Sequence, residues 1–229
     1  HLSSLAQTLI LFTTTEFGFV TLSDRYCGGS SIMPQKRNPS ALEVIKAKTA
    51  VAQGLLSSLL SLSRGSFVGY NRDSQWTKYI IMDLIYECAE APTIMASVLN
   101  TLTINQERAK ELCQKGFITA TDLMEAMAHE FSLPLRQAKM VIERAVKYSE
   151  AHNAETVSWK GLMSALKELD LTLDISPDFV KVQQEPEAVL HRRKAIGGPA
   201  PEVLLKAVDT LSSHFQDINM WLVEKENQL

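Results

Sequence analysis

Apolar residues recur at helical intervals along almost the whole chain, and the strict alternation that marks half-buried strands is nearly absent. Leu2, Leu5, Leu9 and Phe12 share one face of a first helix. Residues 41 to 63, ALEVIKAKTAVAQGLLSSLLSLS, carry Leu42, Ile45, Leu55, Leu56, Leu59 and Leu60 with small residues between them. At 1.5 Å per residue this stretch predicts a rod of about 35 Å. GSFVGYNRD, 65 to 73, interrupts the pattern, and a second long helix is expected from about Ser74 to Leu102, bent at Pro92. Beyond Thr103 the amphipathic pieces are shorter. One helix stops near Gly116, a second starts on Thr119 or Thr121 as its cap, and a third has Pro134 in its first turn. SWKGLMSALKEL follows, then irregular stretches around SPDF and EPEAV, and IGGPAP leads into a last helix over about 202 to 226. The expected fold is all-α. A long-helix bundle segment over 1–108 is followed by a small helical C-terminal domain over 109–229.

Composition narrows the picture. The chain has 229 residues, 45% of them apolar, which is enough to bury a core in one or two domains. A net charge of −3 with no long basic run gives no reason to expect nucleic acid or a membrane surface as partner. The most apolar long run, 78 to 102, is broken by Asp83, Glu87 and Glu90, so it reads as a buried bundle helix and not as a membrane span. TLILF near the start lacks the flanks of a signal peptide, and the opening helix has neither Met nor a clear cap, as if the chain entered partway along an element. Three widely spaced cysteines, Cys27, Cys88 and Cys113, suit reduced thiols in the cytoplasm. No histidine spacing suggests a metal. Trp76, Trp159 and Trp221 read as packing anchors, and His191-Arg192-Arg193-Lys194 as a solvated basic turn.

The stretch GGSSIMPQKRNPSALE, 28 to 43, carries chemistry out of proportion to a connection. Gly28 and Gly29 open backbone angles closed to other residues. Asn38 can cap the following helix with Pro39 in its first position, or Ser40 and Glu43 can form a capping box. Either way a helix N-terminus with unpaired N–H groups favours an anion, and Lys36 and Arg37 add full charges beside it. Two readings stand at this point: a hydroxyl-bearing catalytic loop, or an ordinary capped surface loop.

GSSIMPQKRNP, 29 to 39, resembles the signature GSSxMPxKxNP of the fumarase and aspartase superfamily of lyases. Within it, the sequence is most similar to the argininosuccinate lyases. EFGFVTL (16–22), MPQK, GYNRDSQWTK (69–78), TATDL (119–123), LPLRQA (133–138) and IGGPAP (196–201) all match in order. The resemblance implies that Ser30 is the base that removes a proton beside a substrate carboxylate, with Ser31 its bystander. It implies that Lys36 and Asn38 hold that carboxylate as negative charge grows, and that Tyr70, Gln75 and Lys78 bind the arginine-bearing part of the substrate. Arg72 takes only a supporting role. The implied reaction is reversible elimination of argininosuccinate to arginine and fumarate, with no metal and no organic cofactor. Members are about twice as long and assemble as homotetramers whose sites draw on three chains, so this chain is expected to be the C-terminal part of such an enzyme and inactive alone. Three departures stand out: Trp76-Thr77 replaces an acidic pair, Lys139 stands where a histidine is common, and the N-terminal half with its leaving-group histidine is missing. A sister enzyme such as adenylosuccinate lyase, or a non-catalytic crystallin-like relative, are the alternatives.

Overall fold

The computed structural model describes residues 1–228, which form two compact units, His1–Ala109 and the residues from Lys110 onward. In the first unit α1 spans Leu2–Phe12, α2 Ser40–Leu62, α3 Thr77–Cys88 and α4 Ala91–Thr101. α5, Gln106–Cys113, crosses into the second unit. A two-residue antiparallel ribbon joins β1, Val20–Thr21, to β2, Thr103–Ile104, pairing Val20 with Ile104 and Thr21 with Thr103. The periodicity gives no sign of this ribbon, because two residues are too few to show alternation.

The expected single helix over 74 to 102 is instead two helices. Pro92 lacks the N–H that would bond the carbonyl of Cys88, and its ring crowds that carbonyl, so α3 ends at Cys88. α4 restarts at Ala91, with Pro92 in its first turn, where a missing donor costs nothing.

The core of this unit lies at one end of the rods. Ala6, Leu9, Val20, Leu22, Leu42, Ile45, Ala91, Met95 and Val98 are buried together. Farther along α2 none is buried: Ala52, Leu55, Leu59 and Leu62 are half-buried, and Val51, Leu56 and Leu60 are exposed, as are Tyr79, Met82, Ile85 and Tyr86 on α3. Lys48 on α2 pairs with Glu87 on α3, and the Glu87 carboxylate holds the Lys48 ammonium above its ordinary range. The chain before α2 is pinned by the rings of Phe12 and Phe17, each edge-on to Phe19, and by Arg108, which donates to the carbonyls of Glu16 and Phe17.

In the second unit, α6 (Ala120–Glu130), α7 (Leu135–Ala151), α8 (Trp159–Glu168) and α9 (Pro177–Gln183) surround Leu123, Met127, Val141, Ala145, Leu162 and Leu166, and α10 (Pro186–Arg192) packs beside α9. α7 and α8 approach so closely that a Cβ on Gly161 would lie 2.7 Å from Ser149 Oγ and 2.9 Å from the Ala145 carbonyl. Ser158 caps α8 through Gly161 N–H, and Ser176 caps α9 through Phe179 N–H. The buried Gln184 amide is fully used, accepting from Val157 N–H and donating to the Val157 and Val180 carbonyls.

Neither predicted cap of α6 acts: Thr119 sits at the cap position without a side-chain capping bond. The basic run before IGGPAP is more ordered than a solvated turn, since Arg192 bonds Gln183, Arg193 pairs with Asp122 and Lys194 with Glu202. Of the tryptophans, Trp159 is anchored by its indole N–H on the Ile175 carbonyl, whereas Trp76 and Trp221 are more than half exposed. The last helix, α11, runs over Pro201–Glu226. No described helix is long and apolar enough to cross a membrane.

Leu162 is fully buried where α7 and α8 meet, and truncating it leaves a void that the helices cannot close. Leu162→Ala is expected to destabilise the second unit by about 2–5 kcal/mol, read by urea unfolding with Trp159 as the nearby fluorescent reporter.

Candidate functional site

The loop before α2 is closed at its base by an isolated antiparallel bridge. Gly28 N–H donates to the Asn38 carbonyl at 2.9 Å, and Asn38 N–H donates back to Gly28 at 2.8 Å. The nine residues between them therefore leave and return to one point, directly ahead of the helix. Gly28 is required there by space and not by backbone angle, since its φ lies outside the left-handed region. A Cβ at this position would come within 2.3 Å of Ser40 Oγ, in the first turn of α2. Gly29 faces open space and is also outside the left-handed region.

Within the loop, Ser30 is half-buried and its Oγ accepts from two consecutive backbone amides, Ile32 N–H at 3.3 Å and Met33 N–H at 3.1 Å. A turn follows, with Lys36 N–H on the Met33 carbonyl at 3.1 Å. Ser31 and Lys36 are exposed. Arg37 reaches backward: its guanidinium donates to the Leu22 carbonyl at 2.7 Å and pairs with Asp24 at 2.6 Å. Its charge is thus spent on fixing the return limb of the loop, while Lys36 makes no ion pair among the described residues.

Both capping expectations for α2 fail. Pro39 occupies the cap position, with no side-chain bond, and Asn38 turns its amide to the Gly29 carbonyl at 3.4 Å. Three of the first four amides of the helix are engaged locally: Ser40 N–H bonds the Asn38 carbonyl, and Leu42 and Glu43 N–H both bond the Pro39 carbonyl. The donors that converge on the serine are therefore the Ile32 and Met33 amides, not the helix terminus. Sequence reasoning missed these two groups, although a serine hydroxyl accepting from amides two and three residues on is a known local habit of that side chain.

Tyr70, Gln75 and Lys78 lie elsewhere. The Gln75 amide donates to the Tyr70 hydroxyl, bringing those two together across a short 3-10 turn, Arg72–Trp76. Lys78 Nζ stands 5.2 Å from the centre of the Tyr79 ring, which in turn packs against Trp76 at 5.5 Å. The residues that replace the acidic pair thus supply one ring of an exposed aromatic cluster around the cation. This group follows the C-terminal end of α2, whereas Ser30, Lys36 and Asn38 precede its N-terminus. The 23 residues of α2 put about 34 Å between its two ends. One chain assembles two separate clusters.

A lyase family model matches residues 1–54, the part that contains the loop. The chain is similar to argininosuccinate lyase of Halorhodospira halophila, 37% identical over 88% of this chain and 42% of that enzyme. It is similar also to those of Caldicellulosiruptor bescii, 35% over 92% of this chain and 44% of the enzyme, and Methanococcus aeolicus, 30% over 95% and 44%. The chain thus spans less than half the length of the curated relatives it matches. Among solved structures, EDDS lyase in complex with formate superposes with a TM-score of 0.84 at 24% identity, over 97% of this chain and 45% of that one. A class II fumarase from Schistosoma mansoni gives 0.60 at 18%, over 80% and 36%. The all-α fold is that of the fumarase and aspartase lyases.

The contact between Gly28 and Ser40 makes a specific expectation. Gly28→Ala should cost about 1–3 kcal/mol of stability through overpacking. Gly29→Ala, with open space around it, should stay within about 1 kcal/mol of the parent. Adding Ser40→Gly to Gly28→Ala should recover part of the loss, measured as a coupling energy in a denaturation double-mutant cycle.

Proposed function

We propose that this chain, a relative of the argininosuccinate lyases, is the C-terminal portion of such an enzyme and contributes the proton-abstracting loop of a carbon–nitrogen lyase. In this reading Ser30 Oγ, as alkoxide, takes the proton from the carbon beside a substrate carboxylate. The electron pair left behind forms the carbon–carbon double bond as the carbon–nitrogen bond breaks, releasing fumarate and the guanidino nitrogen of arginine. The leaving nitrogen takes its own proton from a group outside this chain.

The observation that carries the reading is the pair of amides on Ser30. An alkoxide needs donors already in place, and hydrogen bonds to the charged form favour it over the neutral one. Ile32 and Met33 N–H supply them without any rearrangement, and Ser31, exposed beside them, has no such pair. Lys36, exposed and without an ion-pair partner among the described residues, is suited to meet the substrate carboxylate. Asn38 can join it, because its backbone is locked by the bridge and its amide keeps one N–H beyond that given to Gly29.

Tyr70, Gln75 and Lys78 serve the arginine-bearing end of the substrate. No small molecule spans the length of α2, so each site takes the serine loop from one copy and the Tyr70 cluster from another. A homotetramer of the complete protein answers that requirement, and the exposed apolar faces of α2 and α3 support association of the rods. Three unpaired thiols support a cytoplasmic setting.

The test is fumarate release, followed by ultraviolet absorbance, from argininosuccinate and from adenylosuccinate with the complete polypeptide. Argininosuccinate is expected to be the substrate, and Ser30→Ala should reduce turnover by about 100- to 10,000-fold, as loss of a general base does. Ser31→Ala should retain activity. The 229-residue chain alone should release nothing. Activity surviving Ser30→Ala would reject the base, and preference for adenylosuccinate would reject the substrate.

Division of the site between copies predicts a further result. Complete chains carrying Ser30→Ala, refolded together with chains carrying Gln75→Ala, should regain activity that neither has alone, because some sites then combine two intact clusters. Failure to regain any would place both clusters in service of one chain.

A further inference from the structure

Every residue from 31 to 37 is exposed, so no core packing holds the tip of the loop. Its order rests on hydrogen bonds, and most of these stay within it: the two amides on Ser30 Oγ, the Asn38 amide on the Gly29 carbonyl, the turn at Lys36 and the bridge between Gly28 and Asn38. Arg37 is the exception. Among the described residues it makes the only side-chain hydrogen bond and the only ion pair that join residues 28–38 to chain outside that segment.

The two acceptors stand on different supports. Leu22 directly follows β1, and its side chain is buried in the core of the first unit, so its carbonyl is a fixed point of the fold. Asp24 opens the short 3-10 turn Asp24–Tyr26, which leads through Cys27 into Gly28. Arg37 Nη2 carries two N–H groups and serves both, Leu22 at 2.7 Å and Asp24 at 2.6 Å. The outgoing and returning limbs are therefore joined at two levels, by the bridge and, farther from the tip along the outgoing limb, by the guanidinium. An anionic ligand could reach that nitrogen only by displacing Asp24.

We propose that Arg37 is a positioning residue for the lyase reaction. It sets the return limb from which its immediate neighbours, Lys36 and Asn38, meet the substrate carboxylate, and it does not touch the substrate itself. The inference rests on the lyase reading and adds to it a group that acts through others. Ser30 depends on Arg37 less, because its two amides lie two and three residues away inside the loop. Loss of Arg37 thus loosens the groups that hold the carboxylate and leaves the donors of the base in place.

The experiment uses the complete polypeptide, assayed for fumarate release from argininosuccinate and for the reverse reaction. Arg37→Gln is expected to lower kcat/KM by about 10- to 100-fold, the scale on which a misplacement of about 1 Å acts. In the reverse direction KM for fumarate should rise about fivefold or more while KM for arginine stays within about twofold, because the Tyr70 cluster takes arginine. Arg37→Lys, which restores the cation, should recover part of the loss. Asp24→Asn should lose activity in the same direction, and the double variant should be no worse than Arg37→Gln, a coupling read from the double-mutant cycle. The Asp24 side chain is 87% exposed, so this arm remains readable should Arg37→Gln fail to fold. Arg25→Gln removes an exposed cation next to Asp24 that makes no ion pair among the described residues, and should leave kcat/KM within about twofold.

Unchanged kcat/KM in Arg37→Gln would overturn the proposal. An equal loss in Arg25→Gln would overturn it by showing a general field, and a loss in Arg37→Gln without one in Asp24→Asn would assign Arg37 to the substrate. None of these results touches the lyase reading while Ser30→Ala abolishes turnover. A complete enzyme that releases no fumarate, or that keeps its activity in Ser30→Ala, would overturn that reading and the positioning role with it.

Discussion

Gly28 and the side chain of Ser40, in the first turn of α2, lie closer than a Cβ on Gly28 would allow with Ser40 Oγ where it stands, and the geometry of the loop follows from that contact. Because Gly28 carries no Cβ, it can sit beside Ser40 and exchange two backbone hydrogen bonds with Asn38. The exchange shuts the intervening segment into a closed excursion whose length no longer matters to the rest of the fold. Inside it the chain satisfies its own polar groups, through the Ser30 hydroxyl and the turn at Met33 to Lys36. Arg37 ties the return limb to Leu22 and Asp24, so both limbs are held by bonds that leave the tip exposed. A polar loop can be ordered in this way without being buried.

The position of the core explains why that end of α2 is the anchored one. Leu42 and Ile45, in the first two turns of α2, are buried against α1 and α4, and each aliphatic side chain fully removed from water contributes about 1.5–3 kcal/mol. The far half of α2 has no comparable anchorage, with Leu56 and Leu60 facing water and α3 exposing Tyr79, Ile85 and Tyr86. Surface of that character is stable only when something covers it. The rods are thus fixed where they carry the loop and open where they would meet other helices.

The helical class, the chain's punctuation by proline and glycine, and the residues of the loop were all readable from the sequence. What could not be read was the use to which particular residues are put. Pro92 signals a disturbance, yet the choice between a kink and a break rests on whether the chain around Glu90 finds other partners for the freed carbonyls. Asn38 and Ser40 have the composition of helix caps, but the bridge to Gly28 claims the backbone of Asn38 first and leaves Pro39 at the cap position. Gly28 looks like a residue chosen for unusual angles and is in fact chosen for absence of volume. These are tertiary facts, and no local pattern encodes them.

The distribution of charge around Ser30 separates two ways of stabilising an anion. A helix terminus and a pair of cations would act through a field spread over the whole loop, weakened by water and salt at so exposed a position. The structure withdraws part of that field: three of the first four amides of α2 are bonded to nearby carbonyls, and Arg37 is paired with Asp24. What remains is local and directional, two amides aimed at one oxygen and one uncommitted lysine on a flexible stem. Fixed amides cannot follow a substrate, but they cost nothing to align when charge appears. The lysine can follow the substrate but must be ordered by it. A site built from both would hold its base ready in the free chain and gain its second charge only when a carboxylate arrives, which ties proton abstraction to the presence of the correct ligand.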